Sequence, residues 1–160
     1  MGRLHDRFQE LSDKLAHTAV AVFGTRLKAV AIFGSVGRGT PRFDSDCDAL
    51  VVLTDIPAKR FERAALADQL ERALSPTLES LHADGIATSL SLVIKSPDEL
   101  LRGFPLLLDM VDDAKILYDP DNLLKDRLAD LRQRLELKGA RRIWRANAWH
   151  WDLKEGAFRP

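Results

Sequence analysis

The sequence predicts an α/β (α+β) protein, a small mixed β-sheet flanked by helices. Three observations support this. Short β-branched and apolar runs sit at 29–33, 46–53 and 86–94, the length expected of buried strands rather than helices. Segments with apolar residues every three or four positions lie around them. Turn-forming residues punctuate the junctions, among them Gly24, Gly34, Pro57, Gly85 and Gly139.

Taken in order, Leu4, Phe8, Leu11 and Leu15 form one helical stripe that continues to Phe23 and stops at Gly24. The run 29–33 is the first strand. Gly37, Gly39, Thr40 and Pro41 then mark a loop or a short, broken helix. The second strand spans 46–53 and closes at Asp55 and Pro57. Over 58–83, Phe61, Leu66, Leu70, Leu74, Leu78 and Leu81 recur at mostly helical spacing, with a kink or a restart expected at Ser75-Pro76. The third strand is expected over 86–94. Ser96-Pro97-Asp98-Glu99 reads as a helix start: Ser caps, Pro sits first, and Glu three residues on completes a capping box. Another helix from Pro105, a small strand at 115–118 and a long amphipathic helix at 121–138 follow. In the last, Leu124, Leu128, Leu131 and Leu135 share a side, and Gly139 ends it.

Composition narrows the function classes. The 160 residues suit one domain, and 46% hydrophobic against 30% charged residues argue against disorder. With 24 basic and 24 acidic residues, the chain lacks the basic excess of a nucleic-acid coat. The lone Cys47 excludes an internal disulfide and a cysteine-rich zinc site. No apolar run is long enough to span a bilayer, and the charged start is not a secretory signal. A soluble, cytoplasmic protein is expected.

The chemistry concentrates between Ile32 and Val52. Asp46 and Asp48 alternate on a strand, so their carboxylates share a face about 7 Å apart. That arrangement suits Mg²⁺ (or Mn²⁺), which takes one or two protein carboxylates and leaves its other positions to water and substrate phosphates. Cys47 between them faces the opposite way, as a buried structural thiol. Gly34 permits close backbone approach, the Ser35 hydroxyl can bond a phosphate oxygen, and Arg38 can add charge against a triphosphate. Asp44 is expected to cap a turn.

On these residues the sequence resembles the minimal nucleotidyltransferases of the DNA polymerase β superfamily. Their mark is Gly-Ser, about ten residues, then Asp-x-Asp. Here Gly34-Ser35 and Asp46-x-Asp48 are separated by ten residues, Val36 to Ser45, with Arg38-Gly39 in the loop and Ser45 before the first acid. The resemblance implies a nucleotidyltransferase core over 1–100 and a C-terminal helical extension over 101–160 packed on it, ending in a strand or hairpin. It implies transfer of a nucleoside monophosphate, with ATP as the expected NTP, to a hydroxyl of a protein or small molecule. Asp46 and Asp48 would be catalytic and metal-binding, and Gly34, Ser35, Arg38 and Ser45 would hold the nucleotide. Some stand-alone members are antitoxins that add AMP to a tyrosine of a HEPN-domain toxin. A HEPN toxin is thus an implied partner, and the alternative function is an antitoxin with weak or lost transfer. One departure stands out. The third carboxylate of the family falls on the strand after the long helix, and 86–94 contains no acid. Ser91 aligns with the missing position.

The tail interleaves Arg141, Arg142, Arg145 and Lys154 with Trp144, Trp149 and Trp151. Such a mixture can stack bases and neutralise phosphates. The favoured expectation is instead that the tryptophans close the core while the arginines reach water, so a nucleic-acid partner ranks last. The pairs Asp112-Asp113 and Asp119 with Asp121 read as helix-end and turn carboxylates.

Overall fold

Helix α1 (Gly2–Phe23) buries Phe8, Leu11, Leu15, Ala19 and Phe23 along one side, and Gly24 ends it at φ +56°, a left-handed conformation that costs Gly little. The computed structural model describes residues 2–146 and 148–153. After a 3₁₀ turn come β1 (Leu27–Phe33), a four-residue helix α2 (Gly34–Gly37), β2 (Cys47–Leu53), α3 (Arg60–Ala83) and β3 (Leu90–Lys95). Then follow α4 (Pro97–Arg102), α5 (Leu107–Asp113), β4 (Lys115–Tyr118), α6 (Leu123–Leu137), and a hairpin of β5 (Arg141–Arg145) and β6 (Ala148–Asp152).

The sheet order is β3-β2-β1-β4. β1 pairs antiparallel with β2 and with β4, whereas β2 and β3 run parallel. The mixed sheet expected from sequence is therefore present, and β4, from the segment past residue 100, is woven into it. Both faces of β1 and β2 are covered, which explains their continuous apolar runs. On one face Val30, Ile32, Cys47, Ala49 and Val51 meet α1 and α3 through Leu11, Leu15, Leu70 and Leu74. On the other, Ala29, Ala31, Phe33, Leu50 and Val52 meet α4, α5 and α6 through Leu100, Leu107, Met110, Leu124 and Leu128. The four leucines expected to share a side of α6 are all buried. Among the described residues no helix is long and apolar enough to cross a membrane.

Four local expectations are corrected. Helix α3 runs without a break through Pro76. Pro76 cannot donate to the Arg72 carbonyl four residues back, and the Ser75 hydroxyl donates to that oxygen instead, at 2.6 Å. β3 starts at Leu90 rather than at 86. The Ile86 amide donates to Leu81 and the Ala87 amide to Phe43, so this stretch is spent on the helix end and the preceding loop. Phe61, in the first turn of α3, is exposed rather than core, with the Lys59 ammonium 6.0 Å from its ring centre. Asp46 lies one residue ahead of β2. The capping box before α4 forms as expected: Ser96 Oγ accepts from the Glu99 amide, and Glu99 accepts from the Ser96 amide.

Candidate functional site

Because β1 and β2 are antiparallel, the end of one lies beside the start of the other, and Phe33 pairs with Asp48. This brings the turn after β1 against the acidic segment. Gly34 sits at φ +64°, and a Cβ built there would lie 2.4 Å from Asp48 Oδ2. Glycine is therefore required twice, by the backbone conformation and by the approach of the carboxylate. Gly37 has a similar role at the other end of α2, where a Cβ would lie 2.5 Å from the Asp113 carbonyl oxygen.

The polar residues are tied across the two segments. Ser35 Oγ donates to Ser45 Oγ at 3.1 Å, and Ser45 Oγ accepts from the Arg42 amide at 2.8 Å. Asp44 lies on the surface in the turn, paired with Arg42, and it is Ser45 rather than Asp44 that accepts from the Arg42 amide. Asp48 is half-buried and Asp46 exposed. Cys47 is buried on the opposite sheet face, and burial, with the Asp48 charge, pushes its thiol up to about 12. The residue just before β3 and one within it each supply a serine to one of the acids. Ser89 Oγ donates to Asp46 Oδ1 at 2.8 Å, and Ser91, directly opposite Asp48 in the parallel register, hydrogen-bonds its carboxylate. The position aligned with the missing acid thus abuts Asp48.

Burial raises the Asp48 carboxyl above its ordinary value, and the Asp46 charge adds to this. The Ser91 hydrogen bond and the Arg38 charge only partly offset it. Two adjoining carboxylates, one of them held against its preference for water, suit a divalent cation. No group of three acids, histidines or cysteines among the described residues could share one ion. The fit is therefore to a hard cation such as Mg²⁺ that takes one or two carboxylates and completes its shell with water and phosphate oxygens.

Arg38 is held differently from the expectation. Its Nη1 donates to Asp113 Oδ2 at 2.8 Å. Arg142 of β5 grips the same carboxylate bidentately, Nη1 to Oδ1 and Nη2 to Oδ2, both 2.8 Å. Asp113 is only 4% exposed. Burial alone would raise its pKa, but hydrogen bonds from Arg142 and Arg38, with their charges, leave it below the ordinary value. Asp113 is thus the helix-end acid expected, at the last position of α5, and also a buried anchor between two guanidiniums, so Arg142 does not reach freely to water. The Arg142 guanidinium also lies 3.8 Å from the Trp149 ring centre and 4.9 Å from that of Trp144, with Arg38 at 5.7 Å from Trp144. Trp151 packs at the edge of the second core and donates Nε1–H to the Leu108 carbonyl at 3.0 Å. The expected terminal hairpin is present, but it also reaches the turn after β1 through Arg142, Asp113 and Arg38. Lys154, counted with the basic tail, lies outside the described residues.

Comparison with known proteins agrees with this architecture. The nucleotidyltransferase domain model matches residues 7–84. A Methanocaldococcus jannaschii protein named as a candidate protein adenylyltransferase is 32% identical over 107 residues, which cover 66% of this chain and 68% of that protein. Among solved structures, a toxin–antitoxin crystallised with AMP-PNP overlays with a TM-score of 0.47 at 18% identity, covering 84% of this chain and 92% of that one. The toxin–antitoxin MntA-HepT gives 0.47 at 17% identity, with 82% and 92% covered. Those overlays are loose, and the sequence matches carry the assignment. With the Gly34-Ser35 turn set against Asp46 and Asp48, the chain belongs to the nucleotidyltransferases, as a minimal member of that family.

Proposed function

We propose that the protein moves AMP from ATP to a hydroxyl of a protein acceptor, using a divalent cation, with Mg²⁺ first choice and Mn²⁺ second. The observation that carries this reading is the close fit of Gly34 against Asp48, which packs a phosphate-binding turn onto a pair of carboxylates. A cation on Asp46 and Asp48 would neutralise charge building on the α-phosphate and on the departing pyrophosphate. Ser89, just before β3, and Ser91, within it, orient the two carboxylates. The Ser35–Ser45 pair keeps the turn in register with them. Arg38, steadied by Asp113, presents its remaining guanidinium donors to the triphosphate.

The similarity to a candidate protein adenylyltransferase supports a protein rather than a small-molecule acceptor. A tyrosine of a HEPN-domain toxin is the particular acceptor that the Gly-Ser and Asp-x-Asp resemblance implies, and the protein would then serve as its antitoxin. The buried, protonated Cys47 is compatible with a reducing cytoplasm.

The test begins with binding. MgATP should raise the melting temperature by linkage, and the double variant Asp46→Asn with Asp48→Asn should lose that rise while staying folded. Labelled ATP and Mg²⁺ with host lysate should then mark a discrete protein. A ligand shift that persists in the double variant refutes the site. Label released only as free AMP refutes the protein acceptor.

A further inference from the structure

We propose that Asp109, on α5, accepts the proton of the attacking hydroxyl, the role left open by the lack of an acid on β3. The inference rests on the transferase reading above and adds a residue to it. Four placements support it. The Asp48 side chain has the strand parity of Leu50 and Val52, whose face is covered in part by α5 through Leu107, Met110 and Val111. Asp109 lies one helical turn before Asp113, so the two carboxylates share a side of α5. Asp113 contacts Arg38 on the phosphate turn, and the α5 backbone at Asp113 abuts Gly37, so that side of the helix is directed at the site. Asp109 is half-buried, yet its carboxylate takes part in no hydrogen bond or ion pair among the described residues, unlike those of Asp112 and Asp113 beside it.

Its electrostatic surroundings agree. Burial raises the Asp109 carboxyl above its ordinary value, the charges of Asp113 and Asp48 raise it further, and Arg142 partly opposes them. Asp109 is not a third ligand of an ion on Asp46 and Asp48, since no three such groups are placed to share one. A carboxylate near the cation but outside its shell, with no partner of its own, suits a proton acceptor. In the step, the acceptor oxygen attacks the α-phosphorus of ATP. A new O–P bond forms, and the bond from that phosphorus to the bridging oxygen breaks. Pyrophosphate leaves with the electron pair, and the hydroxyl proton passes to the Asp109 carboxylate.

The experiment compares Asp109→Asn with the unmodified full chain. One arm measures the initial rate of labelling of lysate protein from α-labelled ATP with Mg²⁺, and the other the MgATP-induced rise in melting temperature. Labelling should fall by about 10²–10⁴-fold, with the melting rise unchanged. Adding Ser91→Asp to Asp109→Asn should restore part of the rate, which a merely structural defect would not allow. Should Asn at 109 unfold the chain, Asp109→Ser carries both measurements. Wild-type labelling rates in Asp109→Asn overturn this inference and leave the transferase reading intact. Loss of the melting rise overturns it too, by placing Asp109 among the nucleotide- or metal-binding groups. An unmodified chain that labels nothing fails the transferase reading and takes this inference with it.

Discussion

Replacing Gly34 by alanine separates the fold from the chemistry. The added Cβ would lie 2.4 Å from Asp48 Oδ2, and an ordinary contact begins near 3.4 Å, so the carboxylate must retreat by about 1 Å. The obstructed atom is the end of a short side chain, which can swing away at little cost to packing. The remaining penalty is the left-handed backbone at φ +64°, about 1–2 kcal/mol for a residue with a Cβ. A domain of ordinary stability, about 5–15 kcal/mol, survives that. At about 2–4 °C per kcal/mol for a chain of this size, the melting temperature should fall by roughly 2–8 °C. The effect on the site is far larger. Mg²⁺ demands near-ideal geometry with oxygens about 2.0–2.1 Å away, and a displacement of about 1 Å commonly costs about 10²-fold in rate. Gly34→Ala should therefore melt only slightly below the parent, lose the MgATP-induced rise, and transfer at least about 10²-fold more slowly. Thermal melts with and without MgATP, beside a labelling assay, read all three. If transfer and the ligand shift survive intact, Asp48 is not the carboxylate that the nucleotide and its cation use.

Three other outcomes follow from the same geometry. Asp48 has a folded-state pKa above its ordinary 3.8, so its ionisation opposes folding. The penalty is absent below the unfolded value, grows as pH rises through the folded one, and is then complete. Asp48→Asn should thus melt higher than the parent at pH 7 without Mg²⁺ and converge with it below pH 3.8, as melts across pH would show. Ser91→Asp, opposite Asp48 in register, should lower stability without metal through like-charge repulsion and raise transfer with Mg²⁺ present. Ser89→Asp is the register control, and no gain at 91 would show that β3 does not supply the third position. Asp113→Ala leaves two guanidiniums around an emptied, buried site, and breaking such a pair costs about 3–5 kcal/mol. A melting point within a degree or two of the parent would show that the anchor is dispensable.

The fold was legible where burial is uniform. Within β1 and β2, the stretches 29–33 and 49–53 are sealed on both sides, so they read as unbroken apolar runs. The leucine stripe of α6 and the capping box at Ser96 are local patterns that a single segment displays by itself. The Gly-Ser and Asp-x-Asp motif was legible for a related reason, since Gly34, Ser35, Asp46 and Asp48 lie close in sequence at a fixed spacing. What escaped depends on partners distant in sequence. Nothing in the order of residues says that Arg38 pairs with an acid 75 positions away, or that Arg142 grips that same acid. Asp109 carries no signal in the sequence, because what sets it apart is its burial and the charges of Asp113 and of Asp48, the latter on a strand sixty-one residues earlier. The start of β3 was misplaced because Ile86 and Ala87 are apolar enough for a strand while their amides serve other partners.

The link from Arg38 through Asp113 to Arg142 also sets an order of events during synthesis. The motif that names the family is translated within the first third of the chain, but the carboxylate that steadies Arg38 comes 75 residues later and the second guanidinium 29 residues after that. A ribosome-bound chain that has exposed only α1 through β3 holds the Asp-x-Asp pair with an untethered arginine, and its central strand β1 still lacks its neighbour β4. The link itself is complete only once β5 has emerged. A partly made chain that lacks α5 and β5 therefore carries the acids of the motif without the anchored arginine.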